Sequence, residues 1–544
     1  MIAFTAAEIA DLTNGRLAAE PGITPGSVVT DSREATPGSL YVAKPGETAD
    51  GHDFIAAAFD RGAVLALVER DVPDDAGRNY PAVVVQDSVL AMGALAAEAV
   101  RRIRASRAAD GEPLTVIGIT GSAGKTTTKD LLAGILAAEG TTIAPQGSYN
   151  GEVGVPLTVF KAGPDTRYLV IEMGATGVGH ISYLAEMVRP DIGVVLGVGT
   201  AHAGEFGGVD NIALAKGELV EALPAAGTAV LNLDDNRVAA MAARTRATVL
   251  GYSARPSRDG LTDAVGANTV GADTVGAEPV GSEPVRSGRV RAEGVELNSV
   301  GSPEFDLFLP GESAGHHVVS QLIGAHHIAN LLAAAAAAHA AGVPAARIAA
   351  SLSAQAAASR WRMERTERPD GVTIINDAYN ANPESMRAAL RTLADLGRGR
   401  RTWAVLGAML ELGPDSIREH MAVGTQVVRL NISRLVVVGR EARSLYVSAV
   451  NEGSWGDECV FAETPEEAYD LLQAELEPGD LVLFKSSNSI GLRHLGDRIA
   501  LPPQAPGTAA GAAEGRAAGN AAENAAGNTA GNTAGTATEG SALL

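Results

Sequence analysis

The chain has 544 residues, enough for three ordinary domains each with its own core. Apolar residues make up 46% and charged residues 20%, a globular balance, and the formal charge of −21 excludes nucleic acid as the main partner because phosphate-backbone binding needs a net basic surface. The start, MIAFTAAEIADL, lacks the basic opening and long apolar run of a signal peptide, no stretch offers about 18 uninterrupted apolar residues, and the single Cys459 cannot form an internal disulfide, so the expectation is a cytoplasmic protein with no membrane span; a monomer is the working expectation, which the sequence does not itself decide.

In chain order, VVTDSREATPGSLYV reads as a polar turn between strands. Next comes PLTVIGITGSAGKTTTKDLLAGILAAEG, which has three parts. LTVIGIT is a buried strand rich in β-branched residues, GSAG is a turn, and the rest has helical periodicity up to Gly140. Gly121 and Gly124 let the backbone bend so that its N–H groups converge on phosphate oxygens, and the helix N-terminus adds partial positive charge. The candidate ATP-binding loop is therefore Gly121, Ser122, Ala123, Gly124, Lys125, Thr126 and Thr127. Lys125 supplies a full charge there, and Thr126 is placed to offer a hydroxyl to a nucleotide-bound magnesium ion. Ile119 stands where a strict P-loop has its first glycine, which weakens a generic motor or GTPase reading.

RYLVIEMGATG is a strand ending in Glu172, and DIGVVLGVGTAHAGEFG is another ending near His202. Ligands of parallel sheets sit beyond the carboxyl ends of strands, where a carboxylate and an imidazole suit a divalent cation bridging ATP phosphates. NIALAKGELVEAL follows with Ile212, Leu219 and Leu223 on one helical stripe, and Lys216 on the same stripe. Taken alone, that lysine lays its stem along the core and snorkels its charge to water. Between about Pro256 and Gly288 the chain stutters with a five-residue period (VGANT, VGADT, VGAEP, VGSEP), and after Leu501 with a period of four. Both segments are Gly-rich with little apolar surface and are expected to stay disordered. GAHHIANLLAAAAAAHAAG opens a long Ala-rich helix with a polar N-terminus.

The form TGSAGKTTT resembles the loop of the Mur ligase family, T-G-x-x-G-K-T-[ST], whose members use ATP to join an amino acid or dipeptide to a carboxylate. The resemblance extends over roughly Phe4 to Ile499. It implies an α/β fold of three domains: UDP-substrate binding over 1–110, a central P-loop parallel-sheet ATPase domain over 111–358 (with the repeat insertion at 256–288), and a Rossmann-like domain over 359–502. A low-complexity tail, 503–544, follows. In the central run the family's pattern implies that Thr126, Glu172 and His202 hold magnesium, with two ions in all, and that Lys216 is carbamylated. Carbon dioxide would convert an ammonium that repels a metal into an anionic carbamate that can help hold one, which makes Lys216 a further metal holder. The amine must first be neutral, and a desolvated position lowers its pKa in that direction.

The same resemblance makes Thr30, Asp31, Ser32 and Arg33, with Asp50, Gly51 and His52, the grip on the UDP portion; a hydroxyl and a guanidinium suit a diphosphate or uracil edge. Asn150 in SYNGEVGVPLT is implied as a substrate contact. The family's H-N-x-x-N pattern is met by His326 and Asn330, with His327 replacing the first asparagine, and it makes Asn330 an ATP contact. In SRWRMERTERPD, Arg360 takes the family's arginine position at the domain junction and joins Lys125 and Lys216 as the catalytic set. NDAYNANPESM matches the branch that adds D-alanyl-D-alanine to UDP-N-acetylmuramoyl-tripeptide, with Asp377, Tyr379 and Asn380 at the nucleotide and Asn382 at the substrate. The diaminopimelate-adding branch carries Y-A-H-x-P and D-N-P-R instead; DDNR at Asp234–Arg237 is a different pattern. Ala408 and Asn488 depart from that branch where the acceptor dipeptide is expected. A sister ligase adding a single amino acid, or a P-loop kinase or ATPase, are the alternatives.

Overall fold

The computed structural model describes residues 1–46, 49–199, 206–255, 286–453 and 458–501. The periodic insertion up to residue 285, the tail from 502 and His202 lie outside them, and the chain re-enters a strand at Arg286, inside the last residues assigned to the insertion. Phe4–Met92 makes one compact unit; Met1–Ala3 with the chain from Gly93 onward makes the other.

In the Phe4–Met92 unit, the parallel strands Ser27–Val29, Ser39–Val42, Leu65–Val68 and Ala82–Val84 lie side by side, and Arg16–Ala18 closes the sheet antiparallel to the last. The helix Ala6–Leu12 starts where Thr5 and Glu8 cap each other reciprocally, satisfying two otherwise orphaned N–H groups.

The larger unit holds two sheets. The first has nine strands in the order His316–Val319, Pro303–Phe308, Arg286–Leu297, Thr248–Ser253, Thr228–Asn232, Ile192–Val195, Thr115–Thr120, Tyr168–Glu172, Thr142–Ile143. All pairings are parallel except the two made by Pro303–Phe308, which alone runs against the other strands, between Arg286–Leu297 and the edge strand His316–Val319. The central strands carry β-branched and aliphatic residues on both faces and are buried on both, as parallel strands under helices must be. The helix His327–Ala340 is buried all round. Its alanines let it approach the sheet and the helix Lys125–Ala137 closely, so it needs no amphipathic face.

The second sheet runs Glu364–Glu367, Thr373–Asn376, Leu481–Lys485, Thr402–Leu406, Arg434–Val438, Cys459–Ala462, all parallel but the first. The helix Pro383–Leu396 is capped by Asn382, whose Oδ1 accepts from the Ser385 N–H at 2.9 Å, and proline at its first position gives up no hydrogen bond. Cys459 is buried as a small apolar residue, with burial pushing its thiol up to about 12.

Candidate functional site

The strand Thr115–Thr120 runs into the turn Gly121–Gly124 and then the helix Lys125–Ala137, in the order expected. Gly124 sits at φ +83°, and a Cβ there would lie 2.3 Å from Oδ1 of Asn330. Only glycine allows both the left-handed turn and the close approach of the Ala-rich helix. Asn382 reaches across from the second sheet and donates its Nδ2 to the Ser122 carbonyl at 3.3 Å. The Ser122 hydroxyl accepts from the Gly199 N–H at 2.9 Å, tying the loop to the end of the neighbouring strand.

Glu172 ends the adjacent strand and is fully buried. Its carboxylate accepts from the Thr126 hydroxyl at 3.0 Å, the Ser148 hydroxyl at 2.7 Å and Asn150 Nδ2 at 2.9 Å. Asn150 is thus committed to orienting Glu172. The loop bearing Ser148 and Asn150 is pinned by Lys129, whose buried Nζ donates to the carbonyls of Pro145 at 2.8 Å and Gly147 at 3.3 Å. Sequence reasoning passed over Lys129 and Ser148, because nothing local distinguishes a lysine in the second turn of a helix from a solvated one.

Lys125 donates Nζ to the Gly121 carbonyl at 2.8 Å, curling back over the loop. Burial draws its pKa below the ordinary lysine value; the Glu172 carboxylate opposes this and the Arg362 guanidinium adds to it. Lys216, on the helix Val209–Glu221, is only 5% exposed on the stripe of Ile212 and Leu219. It does not snorkel. Burial, helped by the charge of Lys125, brings its pKa down to about 7, so much of it is neutral amine near neutrality.

The three glutamate-bound donors are all neutral, so the buried Glu172 charge, with the Thr126 hydroxyl beside it, fits a divalent cation bound to phosphate. Among the described residues no three His, Cys, Asp or Glu side chains cluster as a metal site. His202, the third expected ligand, lies outside the described residues.

Beside the loop is an open cleft lined by Thr127, Asp130, Leu131, His327, Ser359 and Arg362 among others. Asn330 Nδ2 faces His327 Nδ1 at 3.2 Å, and His327 Nε2 is buried with no hydrogen-bond partner among the described residues. Burial holds His327 well below the usual imidazole value, the neighbouring His326 adding to the shift, so the ring is neutral. Asn330 is therefore where the loop, the cleft and the Ala-rich helix meet.

The structure does not bring Arg360 to the phosphate loop. Its guanidinium pairs with Asp497 at 3.0 Å and Glu364 at 3.4 Å and is more than half exposed. Arg362 takes that place instead: Nη2 lies 3.4 Å from Thr126 Oγ1, the guanidinium stacks 4.4 Å over the Tyr379 ring, and Nε is buried with no hydrogen-bond partner among the described residues. Tyr379 and Asn382 thus join the loop. Asp377 has one carboxylate oxygen on the Met363 N–H at 3.1 Å and the other on Lys485 Nζ at 2.6 Å, while Asn380 is exposed and offers its carbonyl to the same lysine.

In the Phe4–Met92 unit, Asp31 caps the short turn Ser32–Glu34 next to Thr30 and holds Arg33 through Nε at 2.9 Å and Nη2 at 2.6 Å. That pair keeps the Asp31 carboxyl below its ordinary value and leaves the guanidinium half exposed. His52 is internal. Its Nδ1 lies 2.6 Å from Asp50 and its Nε2 accepts from the Glu69 N–H at 2.9 Å, so the Asp50–His52 turn is a buried brace.

Three family descriptions match the chain in succession: the Mur ligase family catalytic domain over 26–100, the Mur ligase middle domain over 119–338, and the Mur ligase glutamate ligase domain over 361–488. The UDP-N-acetylmuramoyl-tripeptide–D-alanyl-D-alanine ligase of Mycobacterium tuberculosis is 42% identical over 92% of this chain and 98% of its own. The Escherichia coli protein of the same description is 33% identical, covering 82% and 88%. Among solved structures, MurF from Acinetobacter baumannii superposes with a TM-score of 0.75 at 29% identity over 92% of this chain and 99% of that one. A MurF ligase from Thermotoga maritima in complex with ADP gives 0.69 at 25% identity, covering 87% and 97%. No helix among the described residues is long and apolar enough to cross a membrane.

Proposed function

The chain belongs to the Mur ligase family, and from that membership we propose that it joins D-alanyl-D-alanine to the terminal carboxylate of UDP-N-acetylmuramoyl-tripeptide in the cytoplasmic assembly of peptidoglycan precursor. ATP activates the carboxylate. The observation that carries this reading is the meeting of Thr126 and Glu172 at 3.0 Å, beyond adjacent parallel strands, with Arg362 against the same hydroxyl. Such a cluster is built for a phosphoryl group, and identity to ligases of this description along 92% of the chain supports the choice of acceptor.

In this reading the three α/β domains divide as 1–110 for the UDP substrate, 111–358 for ATP and 359–502 for the acceptor. The loop Gly121–Thr127 holds the phosphates, Asn330 and Tyr379 flank the nucleotide, and Arg33 with Thr30 grips the diphosphate. Thr126, Glu172, His202 and a carbamylated Lys216 would hold magnesium, which would neutralise the phosphate charges when bound. The tripeptide carboxylate attacks the γ-phosphorus of ATP, and ADP leaves an acyl phosphate. Lys125 and Arg362 stabilise the charge on the transferring group. The dipeptide amine then attacks the acyl carbon, phosphate leaves and the amine proton is lost to water. Keeping water from the acyl phosphate is the task of the interdomain contacts around Asn382 and Tyr379.

The test is phosphate release by the purified protein with ATP, magnesium and UDP-N-acetylmuramoyl-tripeptide, with and without D-alanyl-D-alanine, and the mass of the product. Release that depends on the dipeptide, with a product heavier by one dipeptide unit, is the expected result. Release with single amino acids would move the assignment to a sister ligase. ATP hydrolysis indifferent to every acceptor would overturn it.

A further inference from the structure

Two residues of the segment joining the two sheets of the larger unit stand in the left-handed region without being glycine: Trp361 at φ +58° and Met363 at φ +54°. Such a conformation is unfavourable for both, since each crowds Cβ against backbone. They flank Arg362, and the pair of left-handed turns decides which way that arginine points. Something outside the segment has to hold it.

Three groups do. The Trp361 N–H donates to Glu364 Oε2 at 2.9 Å, and its indole Nε1 donates to Asp497 at 3.1 Å. The Met363 N–H donates to Asp377 Oδ1 at 3.1 Å, a buried contact. The other Asp377 oxygen takes Lys485 Nζ at 2.6 Å, and the same ammonium reaches the Asn380 carbonyl at 3.0 Å. Asp377 follows the strand Thr373–Asn376, and Lys485 ends the neighbouring parallel strand, so the pair is anchored at the ends of two hydrogen-bonded strands of the second sheet. A buried ion pair is a weak source of stability, because desolvation offsets its attraction. Here one of its oxygens is spent on a strained backbone N–H.

We propose that the Asp377–Lys485 pair is a positioning device: it holds Met363 left-handed and thereby keeps Arg362 aimed at the phosphate loop. This rests on the ligase reading only through the role given to Arg362. It also departs from the expectation that Asp377 contacts the nucleotide, since both its oxygens are already engaged within the fold.

A double-mutant cycle between positions 377 and 362 tests it. Asp377→Asn is expected to lower kcat at least tenfold while leaving KM for ATP within about twofold, and to cost less than twofold further in kcat once Arg362→Ala is present. Adding Met363→Gly to Asp377→Asn is expected to recover most of kcat, because glycine takes the positive φ without being held. Additive losses in kcat, or a KM for ATP raised tenfold with no rescue by glycine, would overturn the proposal in favour of a direct or purely structural role. Should Asp377→Asn fail to fold, Met363→Val keeps the ion pair and only raises the strain, and it must show the same coupling to Arg362. The cycle is read on whichever phosphate release the wild type shows, with or without the dipeptide, so failure of the ligase reading and failure of the coupling are separate results.

Discussion

Replacing Gly124 by alanine puts two separable loads on the phosphate loop. The first is conformational: φ +83° in a residue with a Cβ costs roughly 1–2 kcal/mol. The second is steric, because the new Cβ would lie 2.3 Å from Asn330 Oδ1, which has to move. Moving that amide loosens its contacts to Thr128 at 3.5 Å and His327 at 3.2 Å, and an unsatisfied buried polar group costs about 1–3 kcal/mol. The sum, about 2–5 kcal/mol, falls on stability if the loop keeps its shape and on ATP use if the loop yields. At about 1.4 kcal/mol per factor of ten, the second case lowers kcat/KM for ATP by roughly 30-fold to several thousandfold. Melting temperature and kcat/KM for ATP are measured together on Gly124→Ala, Asn330→Ala and the double variant. Asn330→Ala removes the clashing atom, so in its background Gly124→Ala should cost only the conformational share. A Gly124→Ala protein with wild-type melting and kcat/KM for ATP within threefold would refute the reasoning, since neither load would then exist.

Arg362→Ala should lower kcat by about 10²–10³, the usual loss of one charge-stabilising donor, whereas Arg360→Ala, which breaks exposed ion pairs and a stacking contact on the Trp361 ring away from the phosphate loop, should stay within about threefold; equal losses in steady-state assays would reverse the assignment. Glu172→Gln keeps an oxygen for Thr126 but removes the buried charge. It is expected to melt close to the wild type while losing magnesium-dependent nucleotide binding, and unchanged binding in a titration would count against Glu172 as a holder. For Lys216, a folded pKa near 7 against an unfolded value near 10.5 means the unfolded chain binds more protons between those limits, so the stability cost of the buried amine is full below about pH 7 and is relieved as pH rises. Denaturation in carbon-dioxide-free buffer at pH 6 and pH 9 should show wild type gaining on Lys216→Met at the higher pH. The same neutral amine should take up ¹³C-labelled bicarbonate as an NMR-visible carbamate absent from Lys216→Ala, a variant expected to be inactive; full activity in it would sink the carbamate.

The phosphate loop was legible because each of its requirements is local. A β-branched strand, a glycine turn and a helix start can be read in sequence, and Gly124 at positive φ is what the letters promised. Lys216 was legible as a position but not as a state. Its place on the apolar stripe follows from helical period, while its desolvation depends on what its helix packs against, the strands Thr115–Thr120 and Ile192–Val195 and the helix His180–Val188, and its pKa also on the charge of Lys125. The α/β class was implied by the family resemblance, though the antiparallel pairings of Pro303–Phe308 with its two neighbours have no local signature that separates this edge from further parallel strands.

The exchange of Arg360 for Arg362 shows where such reading stops. The two arginines are two residues apart on one irregular segment, and sequence alone gives them equal chemistry. Which of them faces the loop is set by the sign of φ at Trp361 and Met363, and no intrinsic preference of either residue selects that sign. It is selected by Asp377 and Asp497, which stand on the second sheet and its closing helix, and by the Tyr379 ring on which the guanidinium lies. Trp361, its indole fixed on Asp497, also turns Arg360 outward to the same carboxylate. Asn150 follows the same logic. Its amide reads as a ligand contact until the course of its loop, pinned by Lys129 to the Pro145 carbonyl, delivers it to Glu172. The kinds of group a phosphoryl site needs are written locally; their aim is imposed by backbone held from a distance, so the side chains with the most exchangeable letters are those whose roles the sequence alone leaves open.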